Sequence, residues 1–140
     1  MAPGTSAAPN LAILVTADEQ MQAVPIAQHL VADDVGAHPI DTITARDGVV
    51  FWFNTTTAAA VNKMATLNLY AATGLPARAV PLLHGTVLIT GINGDGDPIG
   101  LSQPQITLLQ ARPAPSRWAH FILRLRSQRA HSRRVTRSDS

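Results

Sequence analysis

The stretch that decides the fold is IDTITARDGVVFWFN, residues 40–54 of a 140-residue chain. Two extended runs, Ile40–Ala45 and Val49–Phe53, flank Arg46–Gly48, where the glycine supplies the positive φ that a tight hairpin turn requires. The second run is apolar at every position and holds three of the six aromatic residues of the chain. A strand that is apolar on both faces is typical of the interior of a sheet. We therefore predict a hairpin at the centre of the core, with Trp52 buried.

Before this hairpin the sequence predicts two strands. Residues 11–16, LAILVT, form a β-branched run that is too short for a helix. Residues 17–35 fit either one helix kinked at Pro25 or a turn followed by a strand at Met21–Ile26. Because a proline inside a helix costs about 3 kcal/mol, we predict the turn and the strand, followed by a helix from about Ala27.

After the hairpin, capping residues predict two helices. Residues 54–57, NTTT, are good N-cap formers, and we expect a largely buried helix from about Ala58 to Thr73. The long polar side chains on this segment are expected either to satisfy buried backbone groups or to line a partner surface; they are Asn62, Lys63, Asn68 and Tyr70. For residues 85–101 the sequence predicts a strand at 85–91, a turn at 93–97 and an edge strand at 98–101. A last helix through Gln110 is expected to begin with the capping-box pair Ser102 and Gln105.

Charge divides the chain sharply. Residues 1–111 carry three basic and eight acidic side chains, a net of −5, whereas residues 112–140 carry eight Arg and one Asp, a net of +7. Ten of the eleven basic residues are Arg, whose guanidinium suits bidentate phosphate contacts. We predict a flexible leader at 1–10, a single α+β domain at 11–111 with a small, mostly antiparallel sheet and two or three packed helices, and a disordered basic tail at 112–140.

The charge of the basic tail favours a negatively charged partner: a polyanion, an acidic protein surface or the acidic body of this chain, residues 1–111. Its first part has apolar residues at helical i, i+3, i+4 and i+7 spacing: Trp118, Phe121, Ile122 and Leu125. From Ser127 onward almost nothing is apolar, and we expect disorder. Three interpretations remain open: a solvated extension, an arm that contacts nucleic acid, and a helix that docks on a membrane surface or a partner through residues 117–126. The candidate nucleic-acid-binding residues are Arg117, Arg124, Arg126, Arg129, Arg133, Arg134 and Arg137.

No motif predicts a catalytic residue or a cofactor. The absence of cysteine excludes disulfides, thiolate catalysis and cysteine-based zinc sites. Asn93–Asp97 resembles the start of a calcium loop, but the sixth and twelfth positions hold Pro98 and Pro104 instead of Gly and Glu. No apolar run is long enough for a membrane span, and no secretory signal is evident. We expect a cytoplasmic protein.

One acidic and histidine-bearing cluster supports an alternative function. His29 and Asp33 lie one helical turn apart on the predicted helix, and His38 follows nearby. A divalent metal could bind at this spacing, which would make the chain a small metal-dependent enzyme. The competing interpretation is a solvated helix face with a local ion pair. The sequence therefore predicts no metal site there and leaves this enzyme as the alternative.

The segment from Val61 to Leu109 carries a family resemblance. Its matching features are the helix sequence NKMAT at 62–66, the strand GTVLITG at 85–91, the turn Asp95-Gly96 and the helix after Ser102. They resemble the second half of a small α+β family of unknown function found in bacterial phages, plasmids and chromosomes. Members often have Arg where Lys63 stands, and the Arg-rich tail departs from the pattern. The resemblance implies a non-enzymatic accessory or binding protein and brings no catalytic residue.

Overall fold

The computed structural model describes residues 10–26, 40–56, 59–111 and 121–130. Its strands are β1 (Leu11–Val15), β2 (Met21–Pro25), β3 (Ile40–Thr44), β4 (Val50–Asn54), β5 (Val87–Ile92) and β6 (Pro98–Ile99). Its helices are α1 (Lys63–Thr73), α2 (Gln103–Gln110) and α3 (residues 121–130). The predicted leader, apart from Asn10, and the predicted helix from Ala27 lie outside the described residues.

The strands form one antiparallel sheet in the order β2-β1-β5-β4-β3, and β6 pairs with the far end of β5. This arrangement confirms the α+β class. The predicted β3–β4 hairpin is also confirmed, with a 3-10 turn at Arg46–Gly48 and Gly48 at φ 74°. β5 is the central strand of the sheet, and its first five residues are all buried. β4 lies beside β5 and is an interior strand, as its apolar sequence predicts.

The expectation that Trp52 is buried is wrong in degree, because the side chain is only half-buried. Side chains alternate between the faces of a strand. Phe51 therefore joins the large core on the helix side, whereas Trp52 lies on the opposite face with Leu88 and Ala12. The Trp52 indole Nε1 donates a hydrogen bond of 2.9 Å to the Thr90 hydroxyl, so its polar atom is satisfied on that smaller face.

Helix α1 begins five residues later than the predicted Ala58. Val61 pairs with His84 as an isolated antiparallel bridge, so the chain before the helix is extended. Asn62 is the N-cap and its Oδ1 accepts from the Ala65 amide. The predicted cap region instead forms a local turn, in which the Thr56 amide donates to Asn54 Oδ1. A long-range strand contact therefore overrides the local capping signal.

The later elements confirm the sequence predictions. Asn93 Oδ1 accepts hydrogen bonds from the amides of Asp95 and Asp97, which closes the turn before β6. The capping box is formed in both directions, since Ser102 Oγ accepts from the Gln105 amide and Gln105 Oε1 accepts from the Ser102 amide. These signals are local in sequence and do not depend on the rest of the fold.

Part of the basic tail is folded. Helix α3 includes residues 127–130, which the sequence predicts to be disordered, and Leu123 is 4% exposed within the main core. Ser127, one turn later, is also buried, whereas Phe121 from the predicted apolar face is 54% exposed. Residues 121–130 of the predicted tail therefore belong to the folded part of the protein, and the apolar face of α3 is rotated relative to the predicted one.

The loop between β1 and β2 contains an unusual backbone conformation. A hydrogen bond of 2.8 Å from the Thr16 amide to the Gln20 carbonyl closes the three-residue loop Ala17–Glu19. Glu19 has φ 67°, and among the described residues it is the one non-glycine residue with positive φ. Loops of this kind usually place glycine at this position, because the left-handed conformation costs an L-residue about 1–2 kcal/mol.

Replacement of this residue by glycine is expected to stabilise the protein. Glu19→Gly should raise the free energy of unfolding by about 0.5–1 kcal/mol, since the gain from removing strain exceeds the added flexibility of the unfolded chain. Urea denaturation followed by circular dichroism measures the change. Gln20→Gly is the control and should lower stability, because the φ of Gln20 is not positive. A loss of stability in Glu19→Gly would contradict this account of the loop.

Candidate functional site

The inward face of α3 is held by an arginine. Arg126 Nη1 donates hydrogen bonds of 2.7 Å to the carbonyl oxygens of both Ala77 and Val80. These carbonyls belong to the segment after α1, in which the Ala79 and Val80 amides donate to the Pro76 carbonyl. The aliphatic part of an arginine can pack against apolar groups while its guanidinium bonds to oxygen. A charged residue therefore occupies the half-buried face of the helix.

Loss of this anchor has a measurable consequence. Arg126→Met keeps much of the side-chain stem but removes both hydrogen bonds, so it should lower the free energy of unfolding by about 2–3 kcal/mol. Arg129→Met on the exposed face of the same helix is the matched control and should change stability by less than about 0.5 kcal/mol. Equal unfolding midpoints for the two variants would show that Arg126 does not anchor the helix.

The outward face of α3 is basic and carries an aromatic side chain. Phe121, Arg124, Gln128 and Arg129 are all exposed, and their spacing places them on one side of a helix. Residues 121–130 include three Arg and no acidic residue. The helix thus binds the body through one face and presents two guanidinium groups on the other.

A cleft of about 350 Å³ adjoins this face where α3, α1 and the β1–β2 loop meet. Its lining residues are Glu19, Lys63, Thr66, Leu67, Leu123, Arg124 and Ser127. Lys63 is exposed at the first position of α1, so the cleft brings a second cation into the same site as Arg124. The sequence contains no signal for this pairing, because the two residues are 61 positions apart.

The wall of the cleft formed by α1 is rigidly supported. The Thr66 hydroxyl accepts from the Leu83 amide at 3.1 Å and donates to the Asn62 carbonyl at 2.8 Å. Asn62 Nδ2 donates to the carbonyls of Val15 and Gly85 at 2.9 and 2.8 Å. The prediction that Asn62 satisfies buried backbone groups is therefore confirmed, and the start of α1 is tied to the end of β1 and to Gly85, two residues before β5.

The other long polar side chains that the sequence analysis names on this segment do not share the role of Asn62. Asn68 is 3% exposed, and among the described residues its Nδ2 has no hydrogen-bond partner, so it satisfies no buried group of that part of the chain through this atom. Tyr70 is half-buried and packs against the main core. Lys63 is the member of this set that reaches a surface site.

The structure locates only some of the predicted site residues. Arg124 and Arg129 are exposed on α3, and Arg126 faces inward. The other candidate arginines lie outside the described residues: Arg117, Arg133, Arg134 and Arg137. The cluster of His29, Asp33 and His38 also lies outside them. Within residues 10–26, 40–56, 59–111 and 121–130, no three His, Asp or Glu side chains are grouped so that they could hold a metal ion.

Comparison with family models, with curated proteins and with solved structures finds no match for this chain. The resemblance to the α+β family of phages and plasmids therefore stays a prediction. Among the described helices, none is both long and apolar enough to cross a membrane.

Proposed function

We propose that this chain is a non-enzymatic accessory or binding protein of a bacterial or phage type that contacts nucleic acid through its Arg-rich C-terminal segment. The observation that carries the proposal is the division of α3 into two faces. Leu123 and Arg126 attach the helix to the body, while Arg124 and Arg129 remain exposed beside Phe121. An anchored helix presents its charges in a fixed place and loses less conformational entropy on binding than a free chain.

The chemistry of these side chains suits a phosphate backbone. Guanidinium groups form bidentate, charge-assisted hydrogen bonds with phosphate oxygens. An exposed aromatic ring such as that of Phe121 can stack on an unpaired base without regard to its identity. Binding through these groups would depend strongly on salt and weakly on sequence. The net charge of +7 over residues 112–140 would supply most of the attraction.

A salt series tests this proposal. We expect binding of the full chain to a labelled DNA duplex, followed by fluorescence anisotropy between about 50 and 200 mM salt, to give a log–log slope of about −4 to −5 if about five arginines engage phosphates. A chain that ends at Ala130 lacks Arg133, Arg134 and Arg137 and should show a slope about 3 units shallower. Negligible binding by the full chain would overturn the proposal.

The same series separates nucleic acid from a membrane surface. If α3 docks on lipid instead, Trp118 fluorescence should shift to shorter wavelength on anionic vesicles, and Phe121→Asp should remove that shift. The nucleic-acid proposal predicts that Phe121→Asp weakens binding to single-stranded DNA more than binding to duplex, because only unpaired bases can stack. Vesicle binding without DNA binding would replace the proposed function with peripheral docking.

A further inference from the structure

The cleft beside α3 contains charges of both signs that do not neutralise one another by contact. Glu19 lines it from the β1–β2 loop, and Lys63 and Arg124 line it from the two helices. In the part of the chain that the structure describes, no ion pair joins Glu19 to either cation. An anion and two cations in one cleft can therefore bind oppositely charged groups of one ligand.

The backbone conformation of Glu19 also indicates a functional role for its carboxylate. Its φ of 67° is one that glycine adopts more readily. Residues held in such conformations cluster at functional sites. A glycine would serve the loop better but would bring no carboxylate to the cleft. The position of this side chain in the cleft is thus a feature that the hairpin itself does not require.

The rest of the lining sets the size and polarity of the ligand. Leu67 and Leu123 supply apolar surface, and Thr66 and Ser127, which are 2% and 6% exposed, close the inner wall. The volume of about 350 Å³ is near the lower end of the range of about 300–1,000 Å³ typical of ligand pockets. These dimensions favour a small molecule with a short apolar part.

We propose that this cleft binds a free α-amino acid with an apolar side chain. The ligand carboxylate would bind Lys63 and Arg124, its ammonium group would bind Glu19, and its side chain would pack against Leu67 and Leu123. A plain carboxylic acid would leave Glu19 facing a like charge, and a plain amine would face two cations. Only a zwitterion satisfies the three charged side chains together.

The test compares leucine with two analogues that each lack one charge. 4-Methylpentanoate lacks the amino group of leucine, and 3-methylbutylamine lacks its carboxylate. In ¹⁵N-labelled full-length protein, leucine should shift the amide signals of Leu67, Leu123 and Ser127, with an affinity at least about tenfold above that of either analogue. No shift at these amides with millimolar leucine, methionine or phenylalanine would overturn the proposal, as would equal affinity for leucine and 4-methylpentanoate.

Variants at two hairpin turns test the role of the carboxylate. Glu19→Gln keeps the size of the side chain and should weaken leucine binding about tenfold while leaving 4-methylpentanoate binding no weaker. Asp95→Asn makes the same chemical change in the exposed turn before β6 and should leave leucine binding unchanged. Full leucine affinity in Glu19→Gln would overturn the assignment. Because these probes contain no nucleic acid, the outcome is independent of the proposed function.

Discussion

Truncation after Gln110 is expected to lower the free energy of unfolding by about 4–8 kcal/mol. The truncation removes Leu123, whose side chain is 4% exposed in the main core, and loss of a buried Leu costs about 2–5 kcal/mol. It also removes the two charge-assisted hydrogen bonds from Arg126 to Ala77 and Val80, for which about 2–3 kcal/mol is typical. Thermal and urea unfolding, followed by circular dichroism, measure the loss.

A second truncation provides the matched control. Ending the chain at Ala130 removes three arginines but retains α3, so the unfolding midpoint should stay within error of that of the full chain. Since small domains are stable by only about 5–15 kcal/mol, the shorter chain ending at Gln110 should unfold at a much lower temperature. Identical midpoints for all three chains would mean that α3 does not belong to the folded unit.

Replacement of Asn62 by alanine should cost about 3–7 kcal/mol. Asn62 is fully buried, caps α1 through Oδ1, and donates through Nδ2 to the carbonyls of Val15 and Gly85. Loss of a helix N-cap costs about 1 kcal/mol, and each buried carbonyl left without its donor adds about 1–3 kcal/mol. The effect is large because one buried side chain links the end of β1 and the segment before β5 to the start of a helix.

Asn93→Ala is the control for this substitution. Asn93 also accepts backbone hydrogen bonds through Oδ1, from the amides of Asp95 and Asp97, but it is exposed. Water can replace its contacts, so the loss should be about 1 kcal/mol or less. Urea denaturation of both variants measures the difference, and a similar small loss for Asn62→Ala would contradict the role assigned to its buried amide.

The hairpins and the second helix could be predicted because their signals are local. The turn at Arg46–Gly48 and the capping box at Ser102 and Gln105 involve residues within a few positions of one another, and the structure confirms both. The start of α1 could not be predicted in this way. It depends on the bridge between Val61 and His84, a contact that residues 54–57 do not reveal.

The face of α3 and the cleft show a second limit of sequence patterns. The helical spacing of the apolar residues predicts that Arg126 faces solvent. Such a pattern treats every arginine as a polar surface residue and does not show that its guanidinium bonds to backbone carbonyls. The structure places that residue inward and Phe121 outward. The cleft draws its charges from Glu19, Lys63 and Arg124. These positions belong to three segments far apart in the chain, and no spacing motif connects them.

The salt dependence of DNA binding by the double variant Arg124→Gln/Arg129→Gln tests the central claim most directly. Both side chains are exposed, so the variant should keep the unfolding temperature of the parent chain. Its log–log salt slope should be shallower than that of the parent by about 2 units. Arg46→Gln, an exposed charge in the β3–β4 turn, should leave the slope unchanged. A parental slope in the double variant would contradict the claim that the outward face of α3 contacts nucleic acid.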